Sequence, residues 1–218
     1  MPNTTDSTEL RPVSEETFSR FCRLLYERRL VSGVGGNVAA RTGEHFAFLS
    51  PSGFSLRTVK PGLLSVVRLS GELVSGPQPT KDAELHLKVL RARSDVHVVF
   101  HVHGAHIVAA TTMIEPGADT IPPLTPGFVY FAYPLPMLPY YTPGSDELSE
   151  TVASALSTPG QKAVLLQNHG LVTAGKDFEE AFNVAEEVEE AARVFVLTGG
   201  KSKPIPSHKI EEIRSAHS

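Results

Sequence analysis

Residues 95–106 read Asp95-Val96-His97-Val98-Val99-Phe100-His101-Val102-His103-Gly104-Ala105-His106. Val96 to His103 predicts a strand, and Gly104 onwards predicts a helix through Ala109. Residues two apart on a strand share a face, so His101 and His103 point the same way. A second apolar run, Ala163 to Gln167, predicts a buried strand that delivers His169 at its end, within Asn168-His169-Gly170. An imidazole pair presented by a strand, joined by a distant third, is a donor set for a divalent metal. Three protein nitrogens leave coordination positions open for substrate, which marks a catalytic rather than a structural ion. A single strand histidine is more often a hydrogen-bonded core or surface group. The metal reading rests on the His-x-His spacing and then on the third imidazole before a turn. Of the others, His86 is expected just outside the metal ligands, His97 in a structural role and His106 lining the pocket.

Working outward, Thr80 reads as the cap of a helix from Lys81 to about Arg93. Asp82 falls in its first turn, where an acidic residue is also a simple partner for the helix dipole, and Glu84 competes with it for any role. Ser14 caps a predicted helix to about Arg29, striped by Phe18, Phe21, Leu24 and Leu25. Strands are expected at His45–Leu49 and Leu63–Leu69, with a turn at Ser50-Pro51-Ser52-Gly53. The proline- and tyrosine-rich stretch 121–143 predicts short strands and fixed turns rather than a long helix. Helices follow at Ser145–Leu156 and, from a capping box at Asp177, to about Leu197 before Gly199-Gly200. The expected organisation is a flexible tail (1–12), one domain (13–200) and a polar C-terminal tail (201–218) with room for one more helical turn.

Gly33-Val34-Gly35-Gly36-Asn37 is not a P-loop, since no Gly-Lys-Ser/Thr follows. It reads either as a flexible connection or as a nest of backbone N–H groups for an anion. Ser50-Pro51-Ser52-Gly53 adds hydroxyl and amide donors, and Thr80-Lys81 adds a third set with a positive charge. Three donor clusters together suggest a phosphate or carboxylate pocket.

The bulk numbers are those of an ordinary globular chain: 218 residues, 41% hydrophobic, 20% charged, formal charge −4. That charge, without a long basic run, gives no sign of nucleic-acid binding. One cysteine, Cys22, excludes an intrachain disulfide framework and reads as a small buried hydrophobe. The N-terminus lacks a signal-peptide apolar stretch and no run reaches membrane-spanning length, so a cytoplasmic location is expected.

Taken together, Gly36-Asn37-Val38-Ala39-Ala40-Arg41, Ser50-Pro51-Ser52-Gly53, Pro79-Thr80-Lys81-Asp82, His101-Val102-His103-Gly104-Ala105-His106 and Leu165-Leu166-Gln167-Asn168-His169-Gly170 resemble the class II aldolase/adducin family, from about Ser14 to Gly200. The resemblance implies a three-layer α/β/α fold with a central, largely antiparallel sheet, and commonly a homotetramer with active sites between subunits. It implies one divalent ion per subunit on His101, His103 and His169, usually zinc, with manganese the alternative. The acidic position nineteen residues before the first of these histidines is Asp82, not Glu84. In fuculose-phosphate aldolases it is a glutamate acting as acid/base; in ribulose-phosphate epimerases it is an aspartate that can join the metal. Phosphate contacts in that group match Gly36, Asn37, Ser52, Gly53, Thr80 and Lys81. Lys81 replaces the second hydroxyl of the aldolases' Ser-Ser pair, and the tyrosine those aldolases place after the His-x-His helix has no clear counterpart. The Thr-Lys-acid triplet looks more like the 3-oxo-tetronate 4-phosphate decarboxylase branch, which generally carries glutamate where Asp82 stands.

The implied chemistry is carbon–carbon cleavage through a metal-stabilised enediolate, with Asp82 as proton donor or auxiliary ligand. The first expectation is decarboxylation of a phosphorylated sugar acid to dihydroxyacetone phosphate and carbon dioxide. The alternatives are a sugar-phosphate aldolase, a 4-epimerase, an aromatic carboxylate decarboxylase, and a non-catalytic interaction module as in adducin.

Overall fold

A computed structural model describes residues 13–216; the expected tail at 1–12 lies outside the described residues. Eight strands form one sheet among them: β1 (Asn37–Arg41), β2 (Phe46–Leu49), β3 (Ser65–Arg68), β4 (Leu73–Ser75), β5 (Val98–Val102), β6 (Met137–Leu138), β7 (Ala163–Leu166) and β8 (Gly170–Gly175). Their order is β4-β3-β2-β1-β5-β8-β7-β6. Only the β6–β7 pair at one edge is parallel, so the sheet is mixed and largely antiparallel, as expected.

The helices are α1 (Glu15–Glu27), α2 (Ala83–Ala92), α3 (Ala105–Thr111), α4 (Pro126–Phe131), α5 (Asp146–Leu156), α6 (Phe178–Leu197) and α7 (Ser207–Ser215). Alternation along the central strands sorts them into two layers. Val98, Phe100 and Val102 of β5, with Val38 and Ala40 of β1, face a core shared with α1, α3, α4 and α6. Val99 and Ala39 face the opposite core, built with Leu85 and Val89 of α2 and Val152 of α5. Helices therefore cover both faces, and β5 is buried at all five positions. Cys22 is fully buried in the first core, and burial raises its thiol pKa.

The helix starts at Ser14, Ser145 and Asp177 are capped as their residue types dictate: each side-chain oxygen accepts a backbone N–H three residues on. Thr80 departs from its expected role. The N-cap of α2 is Asp82, and the Thr80 hydroxyl instead accepts from Asp82 N at 3.3 Å. Thr80 N is paired to Ser50 O, at 3.0 Å, which ties this segment to the Ser50 turn. In stretch 121–143 the structure has no long helix, but it does contain the six-residue α4, begun by Pro126 and capped by Thr125. Within 201–218, the nine residues of α7 are helical, and Arg214 donates to Tyr133 O at 2.7 Å.

Candidate active site

The sheet brings the three imidazoles together at one end of its two central strands. His101 sits on β5 beside Asn37 of β1 in register. His103 lies just past the end of β5, and His169 lies in the turn joining β7 to β8. Asn168 makes that turn with a left-handed backbone (φ 53°), a conformation asparagine tolerates better than most residues. Thr111 of α3 holds it, its hydroxyl accepting from Asn168 N at 3.1 Å.

His101 Nε2 lies 2.9 Å from His103 Nε2 and 3.2 Å from His169 Nε2. His101 Nδ1 is 3.1 Å from the carbonyl of Leu171, which only accepts, so Nδ1 carries the proton and Nε2 presents a lone pair. Burial, followed by the neighbouring imidazoles His103 and His169, lowers the pKa of His101 well below its usual value. Burial and His169 bring His103 down to about 4, with Asp82 opposing. His169 is also lowered by burial. Three neutral imidazoles with converging nitrogens are a divalent-metal donor set rather than an anion site. The fit is geometric as well: zinc–nitrogen bonds of about 2.0–2.1 Å in a tetrahedron set nitrogens about 3.3 Å apart.

His103 owes its place to two glycines. A Cβ on Gly35 would lie 2.9 Å from His103 Nδ1, and one on Gly170 would lie 2.7 Å from His103 Cδ2 and 2.3 Å from Val102 O. The ring thus fills space that any side chain at either position would take. Gly35 N donates within its own turn to Ser32 O at 2.9 Å, so that amide is already engaged rather than free for an anion.

Asp82 approaches from the α2 side. Its Oδ2 accepts from Asn37 Nδ2 at 2.7 Å, and Asn37 Oδ1 in turn meets His86 Nε2. Glu84 turns away and pairs with Arg91 at 2.8 Å. This separates two acids that the linear sequence leaves as rivals.

The donor segments meet through tertiary pairing. Ser50 Oγ accepts from Val38 N at 3.1 Å, and Pro51 bridges Pro79 in antiparallel fashion. One cleft of about 540 Å³ results, lined by Gly36, Asn37, Ser52, Gly53, Thr80, Lys81 and Asp82 together with His103 and His169. His101 is sealed beneath it, at 0% exposure. Val34, Phe54 and Pro143 also line the cleft and were not singled out from the sequence. The signal for Phe54 was its position next to Ser52-Gly53; Pro143 offered none beyond its turn-rich surroundings. His106 does not line this cleft. Its Nδ1 bonds Glu189 Oε1 at 2.7 Å in a separate depression beside Arg28 and Glu186. His97 is structural as expected, with Nδ1 2.9 Å from Lys176 O.

Comparison with known proteins gives a consistent picture. Residues 16–196 match the family described as Class II Aldolase and Adducin N-terminal domain. A 3-oxo-tetronate 4-phosphate decarboxylase of Haemophilus influenzae is 30% identical over 204 residues, covering 92% of this chain and 96% of that one. An L-fuculose phosphate aldolase of Methanococcus maripaludis is 31% identical over 177 residues, covering 81% and 93%. Among solved structures, YgbL of Klebsiella pneumoniae, whose assignment is left open among aldolase, epimerase and decarboxylase, superposes with a TM-score of 0.84 at 29% identity, covering 90% of this chain and 95% of that one.

Proposed function

The chain belongs to the class II aldolase and adducin N-terminal domain family, and within it we propose that this protein decarboxylates a 3-oxo-tetronate 4-phosphate-like sugar acid to dihydroxyacetone phosphate and carbon dioxide. That it is a metal-dependent carbon–carbon lyase follows from the family and the imidazole triad; the substrate is our reading. The observation that carries it is the single cleft in which Asp82, His103, His169 and three donor segments with a lysine converge. The Haemophilus influenzae relative, matched over nearly its whole length, supports the choice of decarboxylase.

His101, His103 and His169 would hold the ion, with zinc the first choice and manganese the second. When bound, the ion supplies Lewis-acid stabilisation of negative charge developing on the substrate. The protein's own groups do the rest. Gly36, Asn37, Ser52, Gly53 and Thr80 would orient the phosphate by hydrogen bonds, and Lys81 would add the formal charge there or at the departing carboxylate. The bond to the carboxylate breaks, its electron pair stays with the ketose fragment, and carbon dioxide leaves. Asp82 then delivers a proton to the carbon that lost it. Because Asn37 occupies Oδ2 of Asp82, Oδ1 is the oxygen that would carry this proton.

Val34 is 66% and Phe54 is 40% exposed beside the cleft. Apolar side chains there fit a site that another subunit closes, in the homotetramer that the family resemblance implies. The second reading is a sugar-phosphate aldolase, favoured by the Methanococcus maripaludis relative; the departing fragment would then be an aldehyde.

The deciding experiment is carbon dioxide release from a panel of 3-oxo acid phosphates, run beside aldol cleavage of fuculose 1-phosphate. Release dependent on added metal is the expected result. Aldehyde formation without carbon dioxide would replace the decarboxylase reading with the aldolase one.

A further inference from the structure

His86 lies one helical turn after Asp82 on α2 and is fully buried, with its ring turned to Asn37 of the cleft wall. Its Nε2 meets Asn37 Oδ1, while Asn37 Nδ2 donates to Asp82 Oδ2 at 2.7 Å. Donor and acceptor roles along this chain are forced. A carboxylate only accepts, so Asn37 must turn its NH₂ toward Asp82 and its carbonyl oxygen toward His86. An amide oxygen only accepts as well, so His86 Nε2 must carry a proton. Burial lowers the His86 pKa to about 4 against the opposing pull of Asp82, so at neutral pH that is its one ring proton. Nδ1 is then a bare lone pair, and it is buried with no partner among the described residues. Leaving a polar atom in that state is unfavourable, and an apolar residue here would avoid it.

We propose that His86 is a positioning residue for Asp82: its Nε2–H locks the Asn37 amide in the one orientation that donates to Asp82 Oδ2, which aims the other carboxylate oxygen at the substrate. Asn37 is only 7% exposed, so little solvent competes for its amide. Without the imidazole proton the amide is free to turn over. Its carbonyl oxygen would then face the carboxylate, the two would repel, and Asp82 would leave its catalytic position. The proposal rests on Asp82 being the acid–base group.

Two measurements test it. In metal-loaded protein labelled with ¹⁵N-histidine, long-range ¹H–¹⁵N correlations identify each imidazole tautomer, and His86 is assigned by the signal lost in His86→Gln. The Nε2–H tautomer is expected; an Nδ1–H tautomer overturns the proposal regardless of which reaction the enzyme catalyses. In the kinetic arm, His86→Leu should lower kcat toward the about 10²-fold loss typical of a misplaced catalytic group, a larger change than any in KM, with metal content nearly unchanged. His86→Gln, which can still offer an N–H donor, should recover most of that loss. In an Asp82→Asn background, His86→Leu should cost nothing further, because groups acting as a unit are non-additive. An equal loss in both backgrounds overturns the proposal. Full activity of Asp82→Asn beside an Nε2–H tautomer would instead overturn the role of Asp82, leaving His86 as the holder of Asn37 alone.

Discussion

Gly170→Ala should cost the protein its metal more than its fold. The new Cβ would stand 2.3 Å from Val102 O and 2.7 Å from His103 Cδ2. Non-bonded carbons settle at about 3.5–4.0 Å, so a gap of about 1 Å must open between β8 and the end of β5. Backbone lies on one side of that contact and an imidazole of the triad on the other, so no flexible side-chain tip can give way. The same opening acts next to the Val102–Leu171 pair, where His101 Nδ1 donates to Leu171 O at 3.1 Å. Two of the three imidazoles therefore shift at once, whereas metal–ligand distances tolerate only about 0.2 Å. Overpacking of this kind costs typically about 1–3 kcal/mol, short of the about 5–15 kcal/mol that holds a domain together. We expect a folded variant whose metal affinity has fallen by at least the about 10–100-fold that follows loss of a supporting contact. Competition against a chromophoric chelator reads the affinity, and thermal unfolding reads the fold. Gly117→Ala is the control, since the nearest atom to its Cβ is Thr120 Cγ2 at 4.0 Å. A Gly170→Ala protein that holds metal as tightly as the parent would refute the claim that these glycines make room for His103.

Three further outcomes are expected. Protein purified without chelator should carry close to one divalent ion per chain, and His101→Ala, His103→Ala and His169→Ala should each lose it and turnover together; elemental analysis showing full occupancy in all three would remove the triad as the metal site. Asp82→Asn should keep fold and metal but lose about 10²–10⁴ in rate, while Glu84→Gln, whose parent carboxylate pairs with Arg91, should be mild in the same assay. Lys81→Ala should raise KM for the phosphorylated substrate without changing metal content, with inorganic phosphate competing against substrate in the parent; a fall confined to kcat would place Lys81 at the departing carboxylate instead.

What was legible in the sequence follows from how much each element announces locally. Helices α1, α5 and α6 carry a capping side chain and a long periodic face, and each was found to within a few residues. Strand β1 was passed over. It is Asn-Val-Ala-Ala-Arg, four of whose five positions are buried, so it lacks alternation and has Val38 as its one β-branched residue to mark it. Strand β8 begins and ends in glycine and is buried at all six positions, which hides it in the same way. Strand β4 is three residues at the sheet edge, and β6 is two. Segments so short are strands because a neighbour pairs with them, and a partner remote in sequence leaves no local mark.

The site divides along the same line. Residue chemistry pointed to the imidazoles and to the donor segments, and the family resemblance chose Asp82 over Glu84; their meeting depends on contacts such as Val38 with Ser50 and Pro51 with Pro79, which join segments twelve or more residues apart. Local reading also misassigned His106, because spacing on α3 says nothing about Glu189, which comes from α6 to claim its ring. Gly35 shows the limit most clearly. In the sequence it belongs to a glycine-rich turn, and glycine-rich turns are commonly read as anion cradles because their amides are accessible. In the fold its missing side chain matters at least as much, since the absent Cβ is the space that His103 occupies. Composition reveals that the backbone at residue 35 is bare; only the packing reveals that an imidazole is what lies against it.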